Sequence, residues 1–130
     1  MKGTSFNIHL DDDSLLNHGQ GLTWMDAAPG GVPVTPRDGK AVEIQALWYN
    51  ALRIMQLLST KLGESQKGEK YSSMAEKTER TFNQQFWNEK SNCLFDVVKN
   101  SSSDSSLRPN QIIACSLDFS MLSTDKTRAI

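Results

Sequence analysis

The sequence predicts a mainly α-helical fold, built from helical hairpins with short extended segments. Three observations predict it. Apolar residues recur at helical spacing from Lys40 to Gly63 and again from about Tyr71 to Asn88, a short charged connection joins the two runs, and Pro109 opens a third.

Before the helices, Thr4 to Leu10 alternates. Phe6, Ile8 and Leu10 share one side and Ser5, Asn7 and His9 the other, the period of a short half-buried strand. Asp11, Asp12 and Asp13 end it as a solvated turn. A calcium loop would space its acids at alternate positions and carry a bidentate Glu further on, and neither is present. His9 and His18 stand away from Cys or acids at metal-ligand spacing and read as surface or loop residues.

From Lys40, with Asp38 or Gly39 at its start, Val42, Leu47, Ala51, Ile54 and Leu58 form a stripe that Trp48, Leu52 and Met55 widen. The run stops at Gly63, giving a helix of about six turns at roughly 3.6 residues per turn. So wide an apolar arc implies packing on more than one side. Glu64 to Lys70 reads as the connection. In the second helix Tyr71, Met74, Ala75, Thr78, Phe82 and Phe86 face inward, and Glu76, Lys77, Glu79 and Arg80 face water. Together the two form an antiparallel αα-hairpin.

Cys93 to Val98 reads as extended and Lys99 to Ser106 as a mobile serine-rich loop. Pro109 starts a third helix that runs to about Leu122, since a missing N–H costs nothing in the first turn. Ser123 or Thr124 then caps the beginning of a fourth. A helix start at Asp125 to Ile130 without a body predicts one domain, residues 1–130, that is a segment of a larger helical domain.

Composition narrows the function. A chain of 130 residues can bury a core, and its net charge of −1 argues against nucleic acid or an anionic membrane as partner. Cys93 and Cys115 are too few for a disulfide framework, no apolar run spans a bilayer, and the first residues lack the apolar stretch of a signal peptide. A cytoplasmic location is expected. With no ligand cluster visible, neither a metal nor another cofactor is expected.

The densest stretch is Gly21 to Leu52. Trp24 and Asp26 flank Met25, so in an extended loop both project to the same side. An acid beside an indole suits glycoside hydrolysis, because an apolar wall raises a carboxyl pKa for proton donation. The ordinary alternative makes Trp24 core and Asp26 a turn cap. Arg37, Lys40, Glu43, Gln45 and Asn50 concentrate polar groups at one end of an apolar helix, as at a cavity mouth that binds hydroxyls. Each also has a structural alternative. Arg37 and Lys40 would be solvated charges, Glu43 a first-turn acid complementing the helix dipole, and Asn50 a buried residue bonding backbone.

The strings LTWMDA, PVTPRDGKAVEIQALWYNAL and SLRPNQIIACSL, in that order, resemble the C-terminal amylo-α-1,6-glucosidase domain of glycogen debranching enzymes, in its prokaryotic and archaeal version. The resemblance covers almost the whole chain. It implies part of an (α/α)6 barrel, a toroid of helical hairpins with the sugar entering at one end. Asp26 matches the general acid for an α-1,6-linked glucose of a branched glucan, glycogen or limit dextrin, and Trp24 would line the same subsite. Arg37 and Glu43, with Lys40 beside them, would bind hydroxyls. Trp48, Asn50, Arg108 and Asn110 would bind substrate or hold the site together. The resemblance implies inversion, with the general base in a later segment than this chain carries, so the chain alone would be weakly active or inactive. Self-association through exposed helix faces is expected. The competing expectations are a non-catalytic glucan-binding or scaffold module and a purely structural helical domain.

Overall fold

The computed structural model describes residue 4, residues 6–100 and residues 102–130. Ser5 and Ser101, assigned above to a strand face and a loop, lie outside the described residues. The architecture is mainly helical with short strands. A short hairpin, β1 (His9–Leu10) and β2 (Leu16–Asn17), precedes a long irregular loop that contains a 3-10 turn at Pro29–Gly31. There follow β3 (Lys40–Ala41), α1 (Val42–Lys61) and α2 (Ser65–Phe86). After them come β4 (Trp87–Asn88), β5 (Cys93–Leu94), β6 (Val97–Lys99), β7 (Ser102–Asp104), α3 (Asn110–Ser116) and α4 (Thr124–Ala129).

The first strand is shorter than the alternation predicts: only His9–Leu10 pairs, with Leu16–Asn17 across the acidic turn. The first helix starts later than Asp38 or Gly39, because Lys40 and Ala41 pair antiparallel with Val98 and Val97. Gly39 at φ 120° cannot be helical, and a β-carbon there would stand 2.8 Å from the Val98 carbonyl oxygen. The Val42 N–H, an orphan of the first turn, donates instead to the Asp96 carbonyl at 3.0 Å. At the other end Glu64 N–H donates to Ser59 O at 2.8 Å and Gly63 N–H to Thr60 O at 3.1 Å, with Gly63 at φ 73°. That is a Schellman stop, and it is why the run ends where it does.

The second helix begins at Ser65, not about Tyr71, so the charged connection is itself helical. Gly68 is buried, and a β-carbon there would meet the side chains of Thr60 and Ser59 at 3.6 and 3.8 Å. The glycine that reads as a loop marker is where α2 crosses closely over the end of α1.

α1 and α2 form the predicted hairpin. The face of α1 that packs inward carries Val42, Ala46, Tyr49 and Leu52, against Ala75, Phe82 and Phe86 of α2. The rings of Phe82 and Phe86 stack at 4.7 Å between centroids. This corrects the predicted stripe: Leu47, Ile54 and Leu58 are about half exposed, at 48, 46 and 46 %. Apolar residues encircle α1, and the inward face is instead the one whose polar members find partners. The Gln45 amide, for example, both donates to and accepts from the backbone of Leu16, at 2.8 Å each.

The serine-rich segment is not a free loop. Ser102–Asp104 pairs with Val97–Lys99 and completes a β3–β6–β7 sheet. Backbone pairing satisfies the main chain while the side chains of Ser102 and Ser103 stay exposed, so composition alone misleads. α3 ends at Ser116, short of Leu122, because Leu117 is extended. The backbone beyond it is held by two amide side chains: Asn50 donates to Phe119 O at 2.6 Å, and Asn83 to Met121 O at 2.7 Å. Ser123 caps α4 as predicted, accepting from Lys126 N–H at 3.3 Å. His18 corrects another expectation. It is 3 % exposed, with Nδ1 on the Gly19 carbonyl at 2.8 Å.

Candidate functional site

The site grows from two backbone constraints. Pro36 is followed by Arg37 at φ 44°, a left-handed turn that aims the guanidinium inward. Asp96 sits between β5 and β6, its N–H fixed on Asp104 O at 2.8 Å. The Arg37 guanidinium bridges two carboxylates, with Nη1 and Nη2 on Glu43 Oε1 and Oε2 at 2.5 and 2.6 Å. Its Nε and Nη2 meet Asp96 Oδ2 and Oδ1 at 2.8 and 3.0 Å. Thr23 Oγ1 accepts from Nη1 at 3.1 Å. The side chains of Arg37, Glu43 and Asp96 are 1–2 % exposed. Burial alone would lower the pKa of Arg37, but the hydrogen bonds and charges of Glu43 and Asp96 outweigh it and raise it.

A second guanidinium completes the charge balance. Arg108 Nη1 donates to Asp96 Oδ2 at 2.6 Å and to Asp104 Oδ2 at 2.7 Å. Its pKa is raised, first by the hydrogen bond to Asp104. Desolvation would raise the Asp104 carboxyl, yet bonds from Ser106 and Arg108 hold it down at about 2. At the start of α3, Asn110 is 1 % exposed. It donates from Nδ2 to Asp96 Oδ1 at 2.7 Å and accepts the Trp24 indole N–H at 3.0 Å. Trp24 thus leaves the interior hydrogen-bonded by its edge, with the residue 63 % exposed. Asp26, two positions on, is also exposed and lies in irregular backbone.

The structure therefore links Trp24, Arg37, Glu43, Arg108 and Asn110 in one network and places Asp26 on the loop beside it. Lys40 lies elsewhere, paired with Asp11 at 3.1 Å and Asp13 at 2.6 Å. The half-buried Trp48 spends its indole N–H on the Ser14 carbonyl at 3.2 Å. Asn50 is occupied by the backbone of Ala46 and Phe119. The reading of Trp24 as core does not hold, and neither does that of Arg37 as a solvated charge. Glu43 does stand in the first turn of α1, as the dipole argument expects. Sequence reasoning missed Asp96, Thr23 and Asp104. The signal for Asp96 was an acid set inside the apolar run CLFDVV.

This arrangement defines a helical-hairpin domain that presents an acid and an indole from one loop, over a buried ion network. Over residues 1–130 the chain matches the family described as Amylo-alpha-1,6-glucosidase, and it belongs to that family. It is also 41% identical over 71 residues to the glycogen debranching enzyme of Saccharomyces cerevisiae, in an alignment covering 46% of this chain and 5% of that protein. The chain thus spans a small fraction of the length of this curated relative.

Proposed function

We propose that the chain supplies the general-acid side of an inverting α-1,6-glucosidase acting at the branch points of glycogen or limit dextrin, within a glycogen debranching enzyme. The observation that carries this reading is the pose of Trp24. Its N–H is tied to Asn110 while the residue stays largely exposed, two positions before the exposed carboxyl of Asp26. Asp26 would protonate the glycosidic oxygen, and the indole would present an apolar face to the sugar ring. Water would attack from the opposite face, activated by a base about 6.5–9.5 Å from the acid. That base would come from a later segment, in a barrel of (α/α)6 type of which these hairpins form part.

A second reading, a glucan-binding module without hydrolysis, draws on the commitment of the neighbouring acids. Glu43 and Asp96 give both their oxygens to guanidiniums, so neither is free to act as a base. Glucose release from a branched limit dextrin separates the two. The chain alone should release little. The chain extended through the later helical segments should release glucose, and Asp26→Asn in it should abolish release. An inactive extended chain, or an equally active Asn variant, would refute the assignment. Among the described residues no helix is long and apolar enough to cross a membrane, and the reading places the protein in the cytoplasm with no cofactor.

A further inference from the structure

We propose that Asp96 is a positioning residue for Asp26, acting through a one-way hydrogen-bond relay. Its carboxylate sets the Asn110 amide, and the amide sets the Trp24 indole. The inference rests on reading Asp26 as the acid, but its first test does not.

The direction of the relay is forced by chemistry. A carboxylate only accepts hydrogen bonds and an indole only donates one, while an amide has one end of each kind. Asn110 Nδ2 therefore faces Asp96 Oδ1 at 2.7 Å, which leaves Oδ1 to receive Trp24 Nε1 at 3.0 Å. The same Nδ2 lies 3.5 Å from Met25 Sδ, so Asn110 meets two consecutive residues just before Asp26. Asp96 is held in turn by Arg37 at 2.8 and 3.0 Å and by Arg108 at 2.6 Å, and Arg37 is held by Glu43. Asp96 and Asn110 are 3 % and 1 % exposed, so water does not substitute for either partner. In this scheme Arg37 and Glu43 fix the relay and do not touch the sugar.

The relay makes a prediction that general stabilisation does not. In Asp96→Asn the new amide keeps its oxygen towards Arg37 Nε and Arg108 and turns its NH2 to Asn110. The Asn110 amide then turns over, and its NH2 meets the indole N–H, donor against donor. In Asn110→Asp two carboxylates meet instead. The exchanged pair Asp96→Asn with Asn110→Asp restores a donor and an acceptor at both relay junctions, while Arg37 Nη2 gives up the side-chain oxygen it meets at 3.0 Å and retains Glu43 and the residue 96 carbonyl at 3.4 Å.

The test is solvent exchange of the indole N–H groups, read by NMR on this chain, with Trp24 assigned through Trp24→Phe. Asp96→Asn should speed exchange at Trp24 by about 10-fold, the worth of one hydrogen bond, and the exchanged pair should return it to the wild-type rate; Asn110→Asp keeps an acceptor for the indole and breaks only the junction with residue 96. Trp48, bonded to Ser14, should not change in any of them and reports the fold. If the single variants do not fold, the exchanged pair decides, since it should both fold and protect Trp24. In the extended chain, Asp96→Asn should lower kcat by about 100-fold, as expected for a misplaced reacting group, with KM little changed and the exchanged pair recovering most of the loss. A Trp24 indole indifferent to Asp96→Asn, or an exchanged pair that is unfolded or unprotected, overturns the relay. An active Asp26→Asn enzyme overturns the acid reading instead, so the two failures are distinct.

Discussion

Arg37 and Glu43 form a two-pronged ion pair, at 2.5 and 2.6 Å, between side chains that are 1 % and 2 % exposed. Desolvation offsets the attraction in such a pair, so replacing both partners by apolar residues is often neutral. Breaking it from one side, however, strands a buried charge. Arg37→Ala strands Glu43 and leaves Asp96 to Arg108 and Asn110. It should destabilise the chain by about 3–5 kcal/mol in urea unfolding. Arg37→Lys should also destabilise, since an ammonium cannot make the forked contacts. An Arg37→Ala midpoint near wild type would contradict the buried network.

Asp26→Asn should behave in the opposite way. Its side chain is exposed and outside any helix or strand. The substitution should leave the unfolding free energy within about 0.5 kcal/mol of wild type. A large loss of stability would mean that Asp26 has a structural role and would undercut any kinetic conclusion drawn from this variant.

The acid limb of stability has a defined window. Burial would raise the Asp104 carboxyl, but bonds from Ser106 and Arg108 take it from 3.8 down to about 2 in the folded chain. A folded value below the unfolded one stabilises above pH 4, and that contribution is lost as pH falls through 2. Asp11 and Asp13 are lowered too, Asn17 and Lys40 outweighing burial at the first, and Lys40 and Gln85 at the second. Urea midpoints measured from pH 5 to 2 should therefore decline, and Asp104→Asn should make that decline shallower. An unchanged slope would show that the Arg108 contact does not persist in solution.

The outer side of α1 carries Leu47, Ile54, Leu58 and Leu62 at 48, 46, 46 and 77 % exposure. An apolar strip of this kind favours association. The isolated chain should show a mass that rises with concentration in light scattering, and Leu58→Glu should suppress the rise. A constant monomer mass would count against association through this face.

What the sequence disclosed follows from how local the cause was. The span of α1 and its stop at Gly63 come from spacing and one left-handed residue, and Ser123 caps α4 within its own turn. The pairing of Val97–Lys99 with Ser102–Asp104 escaped notice because it uses the backbone of serines whose side chains remain in water. The ion network escaped for a different reason: Arg37 meets Asp96 59 positions away, and Trp24 meets Asn110 86 positions away. No window of spacing reports such partners. The residues Arg37, Glu43, Arg108 and Asn110 could be singled out as types, but their mutual satisfaction could not. Lys40, one residue from the left-handed Gly39, turns to a different cluster of acids.

The loop that carries Asp26 is closed at its base, where Gly21 N–H donates to Pro36 O at 3.0 Å, and again where Val34 N–H donates to Ala27 O at 2.9 Å. Between these clasps the Pro29–Gly31 tip is exposed and buries no residue. Its ends are set by hydrogen bonds outside the tip, and doubling such a loop costs only about 0.6 kcal/mol in closure entropy. Insertions at residues 29–31 would therefore reshape the rim beside the acid while the ion network under Trp24 stays as it is. On the proposed reading of Asp26, catalytic geometry and the choice of glucan would in this way diverge independently within one loop.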